Sequence, residues 1–357
     1  MKKLKAAIIG TAGISGVHIS GYLAQPEKVE LYALCDIDHE KALKVAEKHN
    51  VPKERVFTDY NDMLKDKEID IVSVCTWNAA HAPATIASLN AGKHVICEKP
   101  MAMNAKEAAA MKEAADKSGK LLMIGFVRRY GNDCRVALDF INGGNVGEIY
   151  YGKATYLRRH GFPGGWFGDK KYSGGGPLID LGVHVIDLAR YLMGGHMPVS
   201  VYGVTSDKLG CRPELKSTTK DHVSTSKSGD FDFSVEDFAA AMIRFDNGAV
   251  LSVEASFDLN IKSGVGNLEL FGTKGGLKLS PELELFTNIN DYPVNVSFAD
   301  STALSFSGLF EKEMVHFVDC VNGVTECISP AEEGVILMKI LDAIYESAAT
   351  GHEVIIK

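Results

Sequence analysis

The chain has 357 residues, 46% hydrophobic and 24% charged, enough apolar material to fill the cores of two domains. A formal net charge of −8 with no Lys/Arg-rich run argues against a nucleic-acid or anionic-membrane surface. The seven cysteines form no CxxC pair and no Cys/His group with zinc-site spacing, so they read as buried free thiols of a reducing cytoplasm, with no metal expected.

The opening MKKLKAAIIG has the basic start of a signal peptide, but its apolar stretch stops at Gly10. No later run approaches the ~18 apolar residues of a membrane helix. Over the first ~125 residues short apolar runs, 5–10, 29–35, 71–75, 94–97 and 121–126, alternate with helical patterns. The runs are continuously apolar and β-branched, the mark of a parallel sheet covered on both faces, and strand–helix repeats of this kind give a doubly wound α/β fold. The pattern then changes. Strands are predicted at 148–159 and 200–206, a hairpin turning at Asn247-Gly248, a second hairpin over 267–280, and further strands in ELELF and VNVSF. Helices are predicted at 177–193, 310–322 and 331–349, and the polar stretch 205–235 as an exposed loop or lid. Two domains are expected: 1–126, and 127–357 around a mostly antiparallel sheet, with the C-terminal helix free to pack back on the first.

The loop after the first strand reads Gly10-Thr11-Ala12-Gly13-Ile14-Ser15-Gly16 and opens a helix, the context of a dinucleotide fingerprint. Glycines there let backbone N–H groups approach a pyrophosphate, although Ala12 and Ser15 replace the second and third glycines of the pattern. Asp36 ends the next strand, 20 residues past Gly16, where a carboxylate can bind an adenosine ribose. Ile37, Asp38 and His39 follow it, no cation among them to meet a 2′-phosphate, so NAD is favoured over NADP. Asp38 is the better helix N-cap. Thr76, Asn78 and His81 follow the run 71–75, where Asn78 and His81 either contact a nicotinamide ribose or cap the next helix.

The run 94–97 delivers Glu98-Lys99-Pro100 to the carboxyl edge of the sheet, where doubly wound folds bind ligands. A charged pair there is either solvated or functional, and the bond before Pro100 is a candidate cis peptide. A lysine beside an oxidised nicotinamide meets like charge and desolvation, both of which make it a better proton acceptor. In the helix predicted at 177–193, Asp180, His184, Asp187 and Tyr191 share one narrow stripe and apolar residues cover most of the rest. Such a helix is largely buried, and its polar stripe faces either a cleft or an internal network. Arg128 and Arg129 after the run 121–126, and Arg158, Arg159, His160 and Trp166 in YLRRHGFPGGWF, are candidates for substrate contact or for internal salt bridges.

Taken together, the glycine loop followed by His18, then CDID, EKP, RRY, SGGGPLIDLGVHVIDL and FGTKGG, resemble the Gfo/Idh/MocA family of oxidoreductases from residue 5 to about 350. The resemblance implies an N-terminal Rossmann domain and a C-terminal α/β domain whose large open sheet builds homodimers or homotetramers. It implies hydride transfer between NAD or NADP and a secondary alcohol or ketone of a sugar, glycoside or cyclitol. Lys99, Asp180 and His184 match the expected catalytic positions. Gly10, Ala12, Gly13, Ile14, Asp36, Thr76, Asn78, His81, Glu98 and Lys99 fall at the cofactor. Trp77 stands where a proline is common in the family. Two other readings remain: a glycoside-processing enzyme that oxidises a sugar ring so that an aglycone can be eliminated, and a non-catalytic NAD sensor on the same fold.

Overall fold

Six short strands, β1 (Leu4–Ile9), β2 (Val29–Cys35), β3 (Val56–Phe57), β4 (Ile71–Val74), β5 (His94–Glu98) and β6 (Leu122–Gly125), form a parallel sheet in the order β3-β2-β1-β4-β5-β6. The computed structural model describes residues 2–212, 214–215, 231–306 and 308–357. The chain divides into two units, Met1–Val127 with Ser307–Met338, and Arg128–Phe306 with Lys339–Lys357.

In the first unit β4 and β6 are buried along their whole length, as their largely apolar sequence requires of strands covered on both faces; the hydroxyl of Ser73, in β4, is hydrogen-bonded internally. The helices α1 (Ser15–Leu23), α2 (His39–Lys48), α3 (Tyr60–Met63), α4 (His81–Asn90) and α5 (Ala105–Ser118) connect the strands. Asp38 caps α2 by accepting from Lys41 N at 3.1 Å, the role its position predicted.

The second unit holds β7 (Ile149–Leu157), β8 (Pro198–Ser206), β9 (Phe238–Phe245), β10 (Val250–Ser256), β11 (Val265–Gly272), β12 (Gly275–Lys278), β13 (Glu284–Ile289), β14 (Tyr292–Ser297) and β15 (Val354–Ile355). They form one sheet in the order β14-β13-β12-β11-β7-β10-β9-β8-β15, antiparallel at every step except β7–β10. The Asn247-Gly248 turn joins β9 to β10, with Gly248 at φ +86° and Asn247 Oδ1 accepting from Ala249 N. The helices are α6 (Asn132–Asn142), α7 (Lys170–Ser173), α8 (Val183–Leu192), α9 (Leu309–Val321) and α10 (Ala331–Thr350); α9 and the start of α10 belong to the first unit. On β8 and β9 the faces alternate: Val201 and Ile243 are register partners and buried, whereas Tyr202 and Met242, the next pair, are exposed.

Two expectations change. The helix predicted over 177–193 begins as a π-helical turn, Leu178–Gly182, and becomes α-helical only at Val183. Of the loop predicted over 205–235, Thr205 and Ser206 end β8, and Pro213 and residues 216–230 lie outside the described residues.

Gly21 shows how closely α1 meets α9: a Cβ there would stand 2.5 Å from Met314 Cβ. Gly21→Ala is therefore expected to destabilise the protein by about 1–3 kcal/mol through overpacking, although alanine is the better helix former by about 1 kcal/mol. Urea unfolding of the variant measures this, and a raised midpoint would show that the helices separate at little cost.

Candidate functional site

At the start of α1 the backbone dictates the sequence. Gly10 has φ +88° and a Cβ on it would lie 2.6 Å from the Cys75 carbonyl oxygen, so only glycine fits. Gly13 also has positive φ, +41°. No side chain caps α1, and its first turn carries no acid, so the positive end of the helix is left for an anion. Ala12 and Ile14 are half-buried or more exposed in the same loop, and Ile14 is the N-cap residue itself.

Asp36 holds this loop in place. Its Oδ2 accepts from Thr11 N at 2.7 Å and from Thr11 Oγ1 at 2.8 Å, and its Oδ1 accepts from Asp38 N at 3.0 Å. A carboxylate offers about four lone-pair sites, so these three bonds leave acceptor capacity for a ribose hydroxyl. Thr11, absent from the sequence-based set, is the residue that couples the loop to the acid.

The exits of β4 and β5 are tied together by His81. Its Nδ1 lies 2.7 Å from the Pro100 carbonyl oxygen and its Nε2 3.1 Å from that of Thr76. Burial drives the imidazole below its usual pKa, against the pull of those two carbonyls, and the neutral ring, with one N–H, donates to one of them at a time while packing against both. His81 is thus packed as a brace between two strand ends, one of them the cis Lys99–Pro100 bond. Asn78 is buried in the turn between them, and Thr76 Oγ1 donates to the Trp77 carbonyl.

Beneath Lys99 lies a buried polar row. His18 Nε2 donates to Glu98 Oε1 at 2.9 Å, His18 Nδ1 is 3.1 Å from Ser73 Oγ, and Ser73 Oγ is 2.7 Å from the Tyr22 hydroxyl. The remaining Glu98 oxygen accepts from Lys99 N at 3.1 Å. Burial by itself would push the Glu98 carboxyl up. The His18 hydrogen bond and charge, with the charge of Lys99, outweigh it and hold the carboxyl below its usual 4.5. Lys99 itself is half-buried. Tyr22 and Ser73 were not in the sequence-based set, yet each left a signal: Tyr22 follows His18 by one helical turn, and Ser73 is the polar residue inside IVSV.

In the second unit the Gly174-Gly175-Gly176 run leads into the π-helical turn. A Cβ on Gly176 would stand 2.1 Å from the Glu236 carbonyl oxygen. The Glu236 carboxylate accepts from Gly176 N at 2.9 Å, from Leu178 N at 3.2 Å and from the Tyr345 hydroxyl at 2.8 Å, capping the start of the helical segment. Burial raises its pKa above the usual value despite these donors. Glu236 lies in a polar stretch without periodicity, and nothing in the sequence links it to residues some sixty positions earlier.

Asp180, buried, sits in the π-helical turn, and His184, half-buried, in the first turn of α8. Wider π turns inside helices recur at functional sites. The lower half of the predicted stripe is internal structure. Arg129 Nε donates to both Asp187 oxygens at 3.1 and 3.2 Å, and its guanidinium lies 4.5 Å from the centre of the Tyr191 ring. The candidate substrate residues are also engaged within this unit. Arg128 pairs with buried Asp133 at 2.9 Å, Arg158 Nη1 donates to the Gly161 carbonyl at 2.8 Å, and His160 Nδ1 lies 2.8 Å from Asp258, which also pairs with Arg212. Trp166 is half-buried and stacks on Phe167.

Comparison with known proteins matches residues 4–126 to the oxidoreductase family with the NAD-binding Rossmann fold (GFO_IDH_MocA), and residues 135–278 to the GFO/IDH/MocA C-terminal domain. The chain is 35% identical to the D-glucoside 3-dehydrogenase of Escherichia coli K12, over 98% of this chain and 97% of that one. It is 31% identical to the levoglucosan dehydrogenase of Pseudarthrobacter phenanthrenivorans, over 79% of this chain and 75% of that one. Among solved structures, a levoglucosan dehydrogenase in complex with NADH superposes with a TM-score of 0.84 at 27% identity, covering 100% of both chains.

Replacing His18 by Phe leaves the Glu98 carboxylate buried without its partner, and the expected loss of stability is about 3–5 kcal/mol, read from urea unfolding at neutral pH. The pH dependence has a definite sign. Because the folded pKa of Glu98 is depressed, its contribution is complete above the ordinary 4.5 and is lost as pH falls below that value through the folded one. The stability gap between wild type and Glu98→Gln should therefore narrow on acidification. A gap that widens would contradict the pairing.

Proposed function

The chain belongs to the Gfo/Idh/MocA oxidoreductases, and from that premise we propose that it is an NAD-dependent dehydrogenase acting on a ring hydroxyl of a sugar or glycoside, with cyclitols as the related substrate class. The observation that carries this reading is the end-to-end similarity to a D-glucoside 3-dehydrogenase in a chain that carries Lys99, Asp180 and His184. The glycine cradle at Gly10, which a Cβ would fill, and the uncapped start of α1 suit a dinucleotide pyrophosphate. NAD, when bound, supplies the hydride acceptor.

In this proposal Gly10, Ala12, Gly13 and Ile14 present the backbone to the pyrophosphate, and Asp36 receives the ribose while holding Thr11. His184 takes the proton of the substrate hydroxyl as its carbon-bound hydrogen leaves with an electron pair, so the alcohol becomes a ketone. Lys99 donates a hydrogen bond to the same oxygen and stabilises the charge that develops there. Asp180 binds a neighbouring hydroxyl or orients the base. Acid–base assistance of this kind contributes roughly 10²–10⁴-fold. Net reduction of a ketone runs through the same residues in reverse.

The relative's name favours one elaboration. Oxidising carbon 3 of a glycoside acidifies the hydrogen on carbon 2, and loss of that proton expels the group on carbon 1 as an aglycone. A homodimer or homotetramer in the cytoplasm belongs to the same proposal. Its support is the exposed apolar side chains of Tyr202, Val204 and Met242 on β8 and β9, and the seven free thiols.

Lys99→Ala and His184→Ala should each lower turnover of a responsive glycoside roughly 10²–10⁴-fold while NAD affinity, measured by calorimetry, stays close to wild type. Near-native rates in both variants would remove these residues from the chemistry. NAD should bind more tightly than NADP, and the reverse order would overturn the reading of Asp36. In a panel of glycosides, free sugars and cyclitols, formation of reduced cofactor identifies the substrate class. Silence across the panel with NAD bound would favour a sensor.

A further inference from the structure

The first unit carries a second cluster of chemically active side chains, none of them assigned above to cofactor or substrate. We infer that His316, Cys320 and Cys327 form a binding site for a thiophilic divalent cation of the zinc class. One ligand atom from each lies within 4.8 Å of the other two, and His316 Nε2 is 3.3 Å from Cys320 Sγ. Zinc–sulfur bonds of about 2.3 Å at tetrahedral angles put two thiolates about 3.8 Å apart, so the cluster closes on an ion with movements of about an ångström or less.

Local structure explains the convergence. His316 and Cys320 are four residues apart on α9 and share one face. The chain then reverses at Gly323, φ +69°, with Gly323 N donating to the Cys320 carbonyl and Val324 N to that of Asp319, and Cys327 is carried back to the helix. Ile328 N donates to His316 Nε2 at 3.2 Å, which identifies Nε2 as the unprotonated nitrogen, and an ion would take that lone pair in place of the Ile328 N–H. Two sulfurs and an imidazole select zinc, cobalt or cadmium over magnesium or calcium, and three protein ligands leave the fourth position to water.

The position gives such an ion a role. The residues that follow, Ser329 and Pro330, cover the open edge of the parallel sheet: Ile124 N donates to the Ser329 carbonyl at 2.9 Å, and Pro330 bridges to Met123 of edge strand β6. A cation joining Cys327 to α9 would clamp this edge-covering segment to the helix. The spacing His-x3-Cys-x6-Cys escapes a search for zinc patterns because the second half of the site depends on the turn at Gly323.

The test uses full-length protein, reduced and freed of metal by chelation, titrated with Co²⁺. One equivalent should produce thiolate-to-cobalt charge-transfer absorption with the visible bands of tetrahedral cobalt, and Zn²⁺ should bleach them. Cys327→Ser alone and Cys320→Ser/Cys327→Ser together should abolish the charge transfer, and Zn²⁺ should raise the melting temperature of wild type but not of these variants. NAD binding by the variants verifies that they are folded, and His316→Gln, which keeps both thiols, should weaken Co²⁺ at least tenfold. No charge-transfer band in reduced wild type overturns the inference. So does a band that survives in the double variant, or a Cys320–Cys327 disulfide that forms in air in a protein that binds no cobalt once reduced. None of these readouts depends on dehydrogenase activity, so the cation site and the proposed function stand or fall separately.

Discussion

The first unit is organised around the hydrogen bond between His18 and Glu98, both buried. A carboxylate removed from water is costly unless something compensates it, and here the compensation comes from an imidazole on α1, extended by Ser73 on β4 and Tyr22 one turn further along the helix. Three elements that diverge in sequence are therefore locked at one point of the sheet. The carboxylate also accepts from Lys99 N, so the backbone of the lysine is held by the same group that secures the strand. His81 adds a second brace, from α4 to the carbonyls on either side of the β4 and β5 exits. The ammonium of Lys99 thus springs from a backbone that cannot shift without breaking buried hydrogen bonds, which is the pre-organisation a proton-handling group requires.

The second unit meets a similar demand with the opposite electrostatic balance. Glu236 accepts two backbone N–H groups and the Tyr345 hydroxyl, all neutral donors, and burial prevails. Its pKa is raised where that of Glu98 is lowered. Both carboxylates fix backbone: Glu98 at a strand end, Glu236 at the first turn of a helical segment that begins in π geometry and carries Asp180. The glycines before that turn follow from this arrangement, since a side chain at Gly176 would collide with Glu236 itself.

Much of this was legible in the sequence, for reasons that differ by element. The parallel strands showed as near-continuous apolar runs because both their faces are covered, and the β9–β10 hairpin showed because Asn-Gly marks a tight turn. Asp38 was recognisable as a cap, whereas Asp36 was readable only as a candidate ligand: its bonds to Thr11 depend on where two loops meet. The π turn was invisible to an analysis that winds every helix at about 100° per residue. Helix α6 was missed, although it buries Asp133, Cys134 and Ala137, because glycines and polar residues on both sides of a short amphipathic stretch mask it. Glu236 and the His316–Cys320–Cys327 cluster were out of reach for one reason. Their partners are assembled by chain reversals, and no local period records a reversal.

The charges of the second unit bear on what kind of molecule it can accept. In the sequence Arg128, Arg129 and His160 were candidates either for substrate contact or for internal salt bridges. In the folded chain Arg128 faces Asp133, Arg129 grips Asp187 through both Nε and Nη2, and His160 and Arg212 converge on Asp258, and all three carboxylates are buried. Buried pairs of this kind are too costly to separate for the cation to be lent to a substrate. The positive charge of these residues is engaged inside the fold, so in the proposed reading recognition rests on hydrogen-bonding groups, with Trp166 stacked on Phe167 close by in the sequence. A neutral ring bearing several hydroxyls needs that combination, and an anionic metabolite would find little free charge among these residues to hold it.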